Sequence, residues 1–265
     1  KEMFELILEV AKADERIRSV MMFGSRANKE CPKDKYQDFD IVYYVTDIKP
    51  YYNNMEWIND KFGKPLIVQL PENMKHPLLP PDNDGHFAYL MIFEDFNRID
   101  LSIEHTQYVD NGEPAVILLD KDNSLPPINI DPNYFHIKKP QENMYGDVCN
   151  EFWWCLNNVG KAIPRGELPY AMEMFNHYVR DMLNQMVEWY IGIHTDFNVS
   201  AGKMGKYFKK YLPQELYEMY CSTYSDSSYE NLWKSIFSAC SLFRILATEV
   251  ADYFGYTYPR QDDEG

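Results

Sequence analysis

The sequence predicts an α+β protein, with an N-terminal half that has a mixed β-sheet and flanking helices and a C-terminal half that is an α-helical bundle. Short β-branched and aromatic runs bounded by turn residues fill the first half. In the second half, apolar residues recur at three- and four-residue steps, as on helices. A connector rich in proline, residues 126–140, lies between them. We therefore expect two domains, residues 1–135 and 136–265.

The first half is predicted to begin with a helix, because Phe4, Ile7 and Ala11 share one helical face. The continuously apolar run 41–45 is typical of a strand buried on both faces, so its strand should lie centrally in the sheet. The prolines between residues 71 and 85 predict an irregular loop. A second helix is predicted at 57–62, and strands are predicted at 19–23, 39–45, 66–70, 87–93, 98–104 and 116–120.

The second half is predicted to contain long amphipathic helices that pack as a bundle. Residues 262–265 should form a frayed tail. The predicted helices cover residues 145–160, 168–187, 214–224 and 229–250.

Composition limits the classes of partner. The 265 residues are 45% hydrophobic, enough for a sizeable core. The 41 acidic and 26 basic residues give a net charge of −15, the wrong sign for a protein that neutralises nucleic-acid phosphates. An acidic surface attracts small cations, but it also simply aids solubility, and charge alone favours the second interpretation. The five cysteines show no metal spacing, and no membrane segment or signal layout is present, so we expect a soluble, cytoplasmic protein.

Two carboxylates at the start of a predicted strand are the main candidates for a metal-binding catalytic site. Asp38 and Asp40 are two residues apart, so on a strand both point to one side. Such a pair is stable beside a divalent cation, and oxygen ligands of this kind suit Mg²⁺ held jointly with substrate phosphates. Asp100, in a later strand, is a third acid for a two-metal site or for taking a proton from an attacking hydroxyl.

The residues after the first strand complete the pattern. Gly24 allows the backbone to approach a phosphate closely, and Ser25 can donate hydrogen bonds to it. The glycine–serine pair and the pair of acids each occur often by chance. Their combination with a third acid in a later strand is a much more specific sequence signal.

With these motifs the chain resembles the streptomycin (aminoglycoside 6-) adenylyltransferases, a branch of the polymerase-β-like nucleotidyltransferase superfamily. The likeness spans nearly the whole chain, and family members extend somewhat past Gly265, so contacts of a C-terminal tail are in doubt. The segments that carry the resemblance are residues 14–18, 24–28, 37–41, 99–101, 149–153 and 202–203.

The resemblance implies transfer of AMP from Mg-ATP to the 6-hydroxyl of streptomycin, with release of pyrophosphate, which would confer antibiotic resistance. Asp38 and Asp40 would bind two Mg²⁺ ions with ATP, and Asp100 would bind one of them and help to deprotonate the acceptor. Gly24, Ser25 and Arg26 would contact the nucleotide.

Two lysines in the helical half are further nucleotide candidates. Lys203 and Lys206 lie in a glycine-punctuated turn before a helix, where they either meet the phosphates or simply begin a basic helix. The resemblance favours Lys203 as a phosphate ligand. Arg180 would join them or pair with a nearby acid.

The acceptor candidates lie on one predicted helix. Streptomycin carries guanidinium groups, which bind carboxylates and flat aromatic faces. Asp147 and Glu151 are one turn apart and share a face, so with Tyr145 and Trp154 they would form a cation cradle. The alternative is a solvated acidic face with tryptophan in the core.

Other functions remain open at this stage. They are AMP transfer to another aminoglycoside, a lincosamide or a protein side chain; a non-catalytic nucleotide-binding regulator; and a nucleic-acid end-modifying enzyme, which the charge opposes. We expect ATP and a cationic small molecule as partners, no nucleic acid or membrane, and a monomer or weak dimer.

Overall fold

A computed structural model describes residues 2–75, 85–108, 113–125, 128, 131 and 133–264. The chain divides into two compact units, Lys1–Tyr134 and Phe135–Gly265. Within the described residues, no helix is long and apolar enough to cross a membrane.

The first unit is a six-stranded sheet with helices, and it confirms the predicted mixed sheet. The strand order is β3-β4-β5-β2-β1-β6, with β2 and β5 parallel and the other pairs antiparallel. The interior position of β2 was predicted. The elements are α1 (Glu2–Ala13), β1 (Ile17–Met22), α2 (Gly24–Ala27), β2 (Phe39–Val45), α3 (Met55–Phe62), β3 (Ile67–Gln69), β4 (His86–Ile92), β5 (Arg98–His105) and β6 (Val116–Asp120), with 3-10 turns at Pro71–Asn73 and Thr106–Tyr108.

The two faces of this sheet differ. Alternate residues of β2, such as Phe39 and Ile41, are buried in the larger core with apolar side chains of α1 and α3. The Tyr43 hydroxyl fastens α1 to this face by donating to the carbonyl of Ile7 (2.5 Å). On the opposite face only a small apolar cluster around Tyr44 is present among the described residues. Polar side chains of β2 and β5 therefore lie on this second face.

The second unit is helical, as predicted. Its core includes Phe152 of α4 stacked on Phe243 of α9, with ring centroids 3.8 Å apart. The elements are α4 (Glu142–Ala162), α5 (Leu168–Glu173), a π-helical segment (Met174–Val179), α6 (Arg180–His194), a 3-10 turn (Lys203–Gly205), α7 (Phe208–Tyr211), α8 (Gln214–Ser222), α9 (Tyr229–Phe254) and α10 (Arg260–Glu264).

Two sequence predictions for this unit were wrong. The helix predicted at 168–187 continues to His194 and is interrupted by the π-helical segment, which three- and four-residue spacing does not reveal. The tail predicted to be frayed contains α10, because Arg244 Nε donates to Asp263 Oδ2 (2.6 Å) and the Tyr258 hydroxyl donates to the same oxygen (2.9 Å).

Candidate active site

Gly24 controls the approach of the chain to Asp40. The Phe23 N–H donates to the Asp40 carbonyl (2.9 Å), so the chain leaves β1 directly beside β2. Gly24 has a φ of 65°, and a Cβ built on it would overlap Oδ2 of Asp40 and lie 2.9 Å from its Cγ. Only glycine leaves room for the carboxylate and adopts this backbone freely. The close approach seen here is to the Asp40 carboxylate, and the approach of Gly24 to a phosphate stays a prediction.

Arg26 contacts the loop that precedes β2. Its Nε donates to the Asp38 carbonyl (2.8 Å) and its Nη2 to the Gln37 carbonyl (2.6 Å), while the guanidinium lies 3.8 Å from the centroid of the Phe39 ring. Gln37 Nε2 in turn donates to the carbonyl of Ser25 (3.0 Å). Arg26 therefore anchors the loop before β2 through Nε and Nη2, and its contact with nucleotide stays a prediction.

Asp40 and Asp100 form the centre of the site. They are paired in register on the parallel strands β2 and β5, so their side chains leave the same face of neighbouring strands about 4.8 Å apart. They line a cavity of about 310 Å³ that we call the acidic cavity. Its other lining residues are Phe23, Ile41, Val42, Tyr44, Ser102, Glu104 and Glu113.

Asp38 lies beside this cavity and does not line it. It precedes β2, so strand alternation does not place its side chain with that of Asp40. It lines a second cavity of about 330 Å³ together with Asp95 and Arg98. Arg98 Nη1 is 3.6 Å from Asp38 Oδ2, and Arg98 Nη2 also forms an ion pair with Asp100 Oδ2 (2.6 Å). Asp38 and Asp40 therefore line separate cavities, while the charge of Asp38 still acts on Asp40, and their joint metal site stays a prediction.

Charge crowding in the acidic cavity favours a bound cation. Burial first, and then the charges of Asp100 and Asp38, raise the pKa of Asp40 to about 6, against the opposing effect of Arg98. No three His, Cys, Asp or Glu side chains in the described part of the chain are placed to hold one metal ion together. The chemistry of the donors nevertheless fits Mg²⁺, because clustered carboxylate oxygens that repel each other are the ligands this ion takes. Asp40 and Asp100 would hold such an ion, and Asp38 would join them if Arg98 moved.

Two acids of the cavity were missed in the sequence. Glu104 lies on β5, four residues after Asp100, while Ile99, Leu101 and Ile103 face the core. Alternation along β5 was therefore the signal that could have found Glu104. Glu113 lies outside the strands, and no periodic pattern marks it.

In the helical unit, the turn after Gly202 places Lys203 on the wall of a cavity of about 760 Å³, which we call the lysine cavity. Lys206 does not line it, and its Nζ lies 5.2 Å from the centroid of the Tyr207 ring. Burial raises the pKa of Glu188, which the sequence analysis did not single out. Residues lining this cavity include Lys138, Lys139, Gln141, Gln185, Glu188 and Lys203.

The predicted acceptor residues on α4 separate into two groups. Tyr145 is 1% exposed and its hydroxyl donates to the Ala247 carbonyl (2.8 Å), so it belongs to the core and offers no surface to an acceptor. Trp154 is 67% exposed, which excludes its placement in the core. Asp147 is exposed on the same face, and Glu151 accepts a hydrogen bond from the Cys155 thiol (3.2 Å). These three residues form a stripe of two acids and one aromatic ring, which we call the α4 stripe.

Arg180 is buried within the helical unit. Its Nη1 and Nη2 donate to the side-chain and backbone oxygens of Thr223 (2.9 and 2.8 Å), and its guanidinium lies 3.9 Å from the Tyr224 ring centroid. It thus joins α6 to the end of α8, and the described contacts include neither an acid nor a ligand site.

Comparison with known proteins identifies the chain. The family model described as streptomycin adenylyltransferase matches residues 1–265. The chain belongs to this family. It is accordingly a nucleotidyltransferase, which confirms the resemblance read from the sequence motifs.

Curated relatives in three bacteria carry the name aminoglycoside 6-adenylyltransferase. The protein from Campylobacter jejuni is 41% identical, over 100% of this chain and 92% of its own length. The one from Bacillus subtilis is 37% identical over 99% and 94%. The one from Staphylococcus aureus is 34% identical over 99% and 94%. A crystal structure of a Bacillus subtilis aminoglycoside 6-adenyltransferase, 34% identical, covers 100% of this chain and 94% of its own, with a TM-score of 0.48.

Proposed function

We propose that this family member transfers AMP from Mg-ATP to the 6-hydroxyl of streptomycin and releases pyrophosphate. The observation that carries the proposal is the in-register pair Asp40 and Asp100 beside Gly24, which gives a carboxylate site that a phosphate can approach closely. Relatives named aminoglycoside 6-adenylyltransferase, alike over the full length of the chain, support an aminoglycoside acceptor.

The residues of the acidic cavity have separate tasks in this proposal. The acceptor oxygen attacks the α-phosphorus as the bond to the β-phosphate oxygen breaks, and Asp100 takes the hydroxyl proton. Asp40 and Asp100 hold the metal, with Asp38 as a further ligand. Two bound Mg²⁺ ions would neutralise the triphosphate and stabilise the attacking and leaving oxygens. Gly24 admits the phosphates, and Ser25 donates to them.

The lysine cavity supports a proposal for how the β- and γ-phosphates of ATP, the pyrophosphate leaving group, are bound. Lys138, Lys139 and Lys203 line it with a single carboxylate, Glu188, so its charged side chains favour an anion. We assign Lys203 to the β- and γ-phosphates. Lys206 is assigned as a second contact, although its packing on Tyr207 requires it to turn away from that ring.

The α4 stripe supports a cationic acceptor. Its carboxylates suit bidentate hydrogen bonds from guanidinium groups, and the exposed Trp154 ring suits their flat faces. Asp147, Glu151 and Trp154 therefore remain the proposed acceptor contacts, and Tyr145 does not.

The cellular setting follows from these substrates. ATP as donor places the reaction in the cytoplasm, where modification of streptomycin would confer resistance. The net charge of −15 favours a cationic partner over nucleic acid. We further propose that residues 1–135 are the nucleotidyltransferase domain, that residues 136–265 are the acceptor-binding domain, and that the protein works as a monomer or weak dimer.

A panel of acceptors tests this proposal. Pyrophosphate release from Mg-ATP is measured with streptomycin, other aminoglycosides, lincomycin and tRNA, and each acceptor is then examined by mass spectrometry. A gain of one AMP on streptomycin alone is expected. A gain on another acceptor would reassign the substrate, and silence across the panel with ATP still bound would contradict the enzymatic role.

A further inference from the structure

Arg98 holds two of the three proposed metal ligands. Its Nε donates to Oδ1 of Asp100 (2.8 Å) and its Nη2 to Oδ2 (2.6 Å), so both oxygens of that carboxylate are engaged. Its third nitrogen, Nη1, lies 3.6 Å from Oδ2 of Asp38. The guanidinium thus lies between the two acids, at the start of β5.

A guanidinium and a divalent cation both bind through the carboxylate oxygens of these acids. The fork of Arg98 uses the in-plane lone pairs of Asp100, and Mg²⁺ would need them at about 2.0–2.1 Å. The positive charges also repel each other at such short range. Arg98 in this position and a metal ion on Asp100 therefore compete for the same carboxylate oxygens.

The Arg98 side chain is able to move away from the two acids. Its side chain is 43% exposed, compared with 20% for Asp100, so it can turn towards solvent without breaking the core. Its departure would free Asp100 and Asp38 together, whereas Asp40 has no described hydrogen bond or ion pair to Arg98.

We propose that Arg98 is a built-in counter-ion of the active site, which neutralises Asp38 and Asp100 while no metal is bound and is displaced when a divalent cation binds. The inference rests on the proposed function in taking these acids as metal ligands. Arg98 then sets the metal concentration at which the site assembles.

The same unit provides a matched control. Arg16 grips Asp14 with the same fork, Nε to Oδ1 (2.9 Å) and Nη2 to Oδ2 (2.6 Å), also across two residues. Neither residue lines the acidic cavity. Arg16→Gln therefore removes an equivalent ion pair without changing the charge of the proposed metal site.

Binding of Mn²⁺ alone provides the test, measured by loss of the free-ion electron paramagnetic resonance signal at pH 8 without nucleotide or acceptor. Arg98→Gln should lower the Kd for Mn²⁺ by about tenfold or more, because a competing positive charge has been removed. Arg98→Lys keeps the charge but loses the fork, so its Kd should fall between those of Arg98→Gln and the wild type. Arg16→Gln should bind as the wild type does.

Thermal unfolding provides the second measurement. Without metal, Arg98→Gln should have a lower Tm than the wild type. Saturating Mn²⁺ should raise the Tm of Arg98→Gln by more than it raises the Tm of the wild type. A folded Arg98→Gln whose Mn²⁺ affinity is unchanged or weaker would overturn the proposal, as would absence of Mn²⁺ binding from every variant. If Arg98→Gln does not fold, an Arg98→Lys affinity no tighter than that of the wild type overturns it. Because neither measurement uses an acceptor, failure of streptomycin as substrate would leave this result unchanged.

Discussion

At the scale of single residues, the contact between Gly24 and the Asp40 carboxylate decides how closely the chain after β1 approaches the acidic cavity. The φ of 65° and the lack of space for a Cβ act together here. A side chain at this position would have to displace either Asp40 or its own backbone.

We expect Gly24→Ala to reduce the rate of AMP transfer by about a hundredfold or more, because small displacements of reacting groups are costly. Gly63→Ala is the matched control, since Gly63 also has a positive φ, of 85°, but no atom lies within 4 Å of its Cβ position. Gly63→Ala should lose about 1–3 kcal/mol of unfolding free energy to backbone strain, and Gly24→Ala should lose more because its Cβ also displaces the Asp40 carboxylate. Equal transfer rates in the two variants would contradict the role given to Gly24.

Asp40→Asn and Asp100→Asn should each lower kcat by about a thousandfold, since each removes a carboxylate proposed to bind metal. Asp60→Asn serves as control, because Asp60 is an exposed acid of α3 paired with Lys61. Single-turnover kinetics and circular dichroism separate loss of chemistry from loss of fold. Near-normal turnover of either active-site variant would remove that residue from the site.

At the scale of elements, the α4 stripe makes the acceptor proposal testable. Trp154→Ala should raise KM for streptomycin about tenfold and leave KM for ATP unchanged, because a cation–π contact of roughly 1–2 kcal/mol is lost. Phe237→Ala, which removes another exposed ring (64%) on α9, should change neither constant. An unaltered KM for streptomycin in Trp154→Ala would indicate that the stripe is an ordinary solvated face.

The junction of α1 and β1 gives a pH-dependent contribution to stability. Hydrogen bonds from Arg16 lower the pKa of Asp14 from 3.8 to about 2, and the Tyr51 hydroxyl also donates to it (2.9 Å). A lowered folded-state pKa stabilises the fold above pH 4, and this contribution is lost as pH falls towards 2. Asp14→Asn should therefore cost about 1 kcal/mol at pH 6 and almost nothing near pH 2, measured by urea unfolding at both pH values. A cost that does not change with pH would contradict this account.

The elements themselves were largely predictable from the sequence. The continuously apolar run 41–45 located β2 and its interior position, because a strand buried on both faces has a distinct composition. The π-helical segment was not predictable, since it is only six residues long and alters the apolar spacing at too few positions to be recognised. The loop contacts of Arg26 were not predictable either, because its partners are backbone carbonyls brought close only by folding.

At the scale of the whole molecule, long-range strand pairing limits how much of the site could be predicted from the sequence. The motif identified Asp40 and Asp100 as partners, but their register depends on β5 pairing with β2 across the intervening α3, β3 and β4. No local pattern reveals that register, nor that Arg98 lies against Asp38 and Asp100. The sequence motif therefore names the candidate acids, and only the fold shows which of them lie side by side and how they are held.

The most direct test of the central claim is mass spectrometry of streptomycin after incubation with Mg-ATP and the wild-type chain, with Asp100→Asn in parallel. The account predicts one added AMP on the 6-hydroxyl with the wild type and almost none with the variant. Unmodified streptomycin with a folded wild-type chain that binds ATP, or equal modification by both proteins, would contradict it.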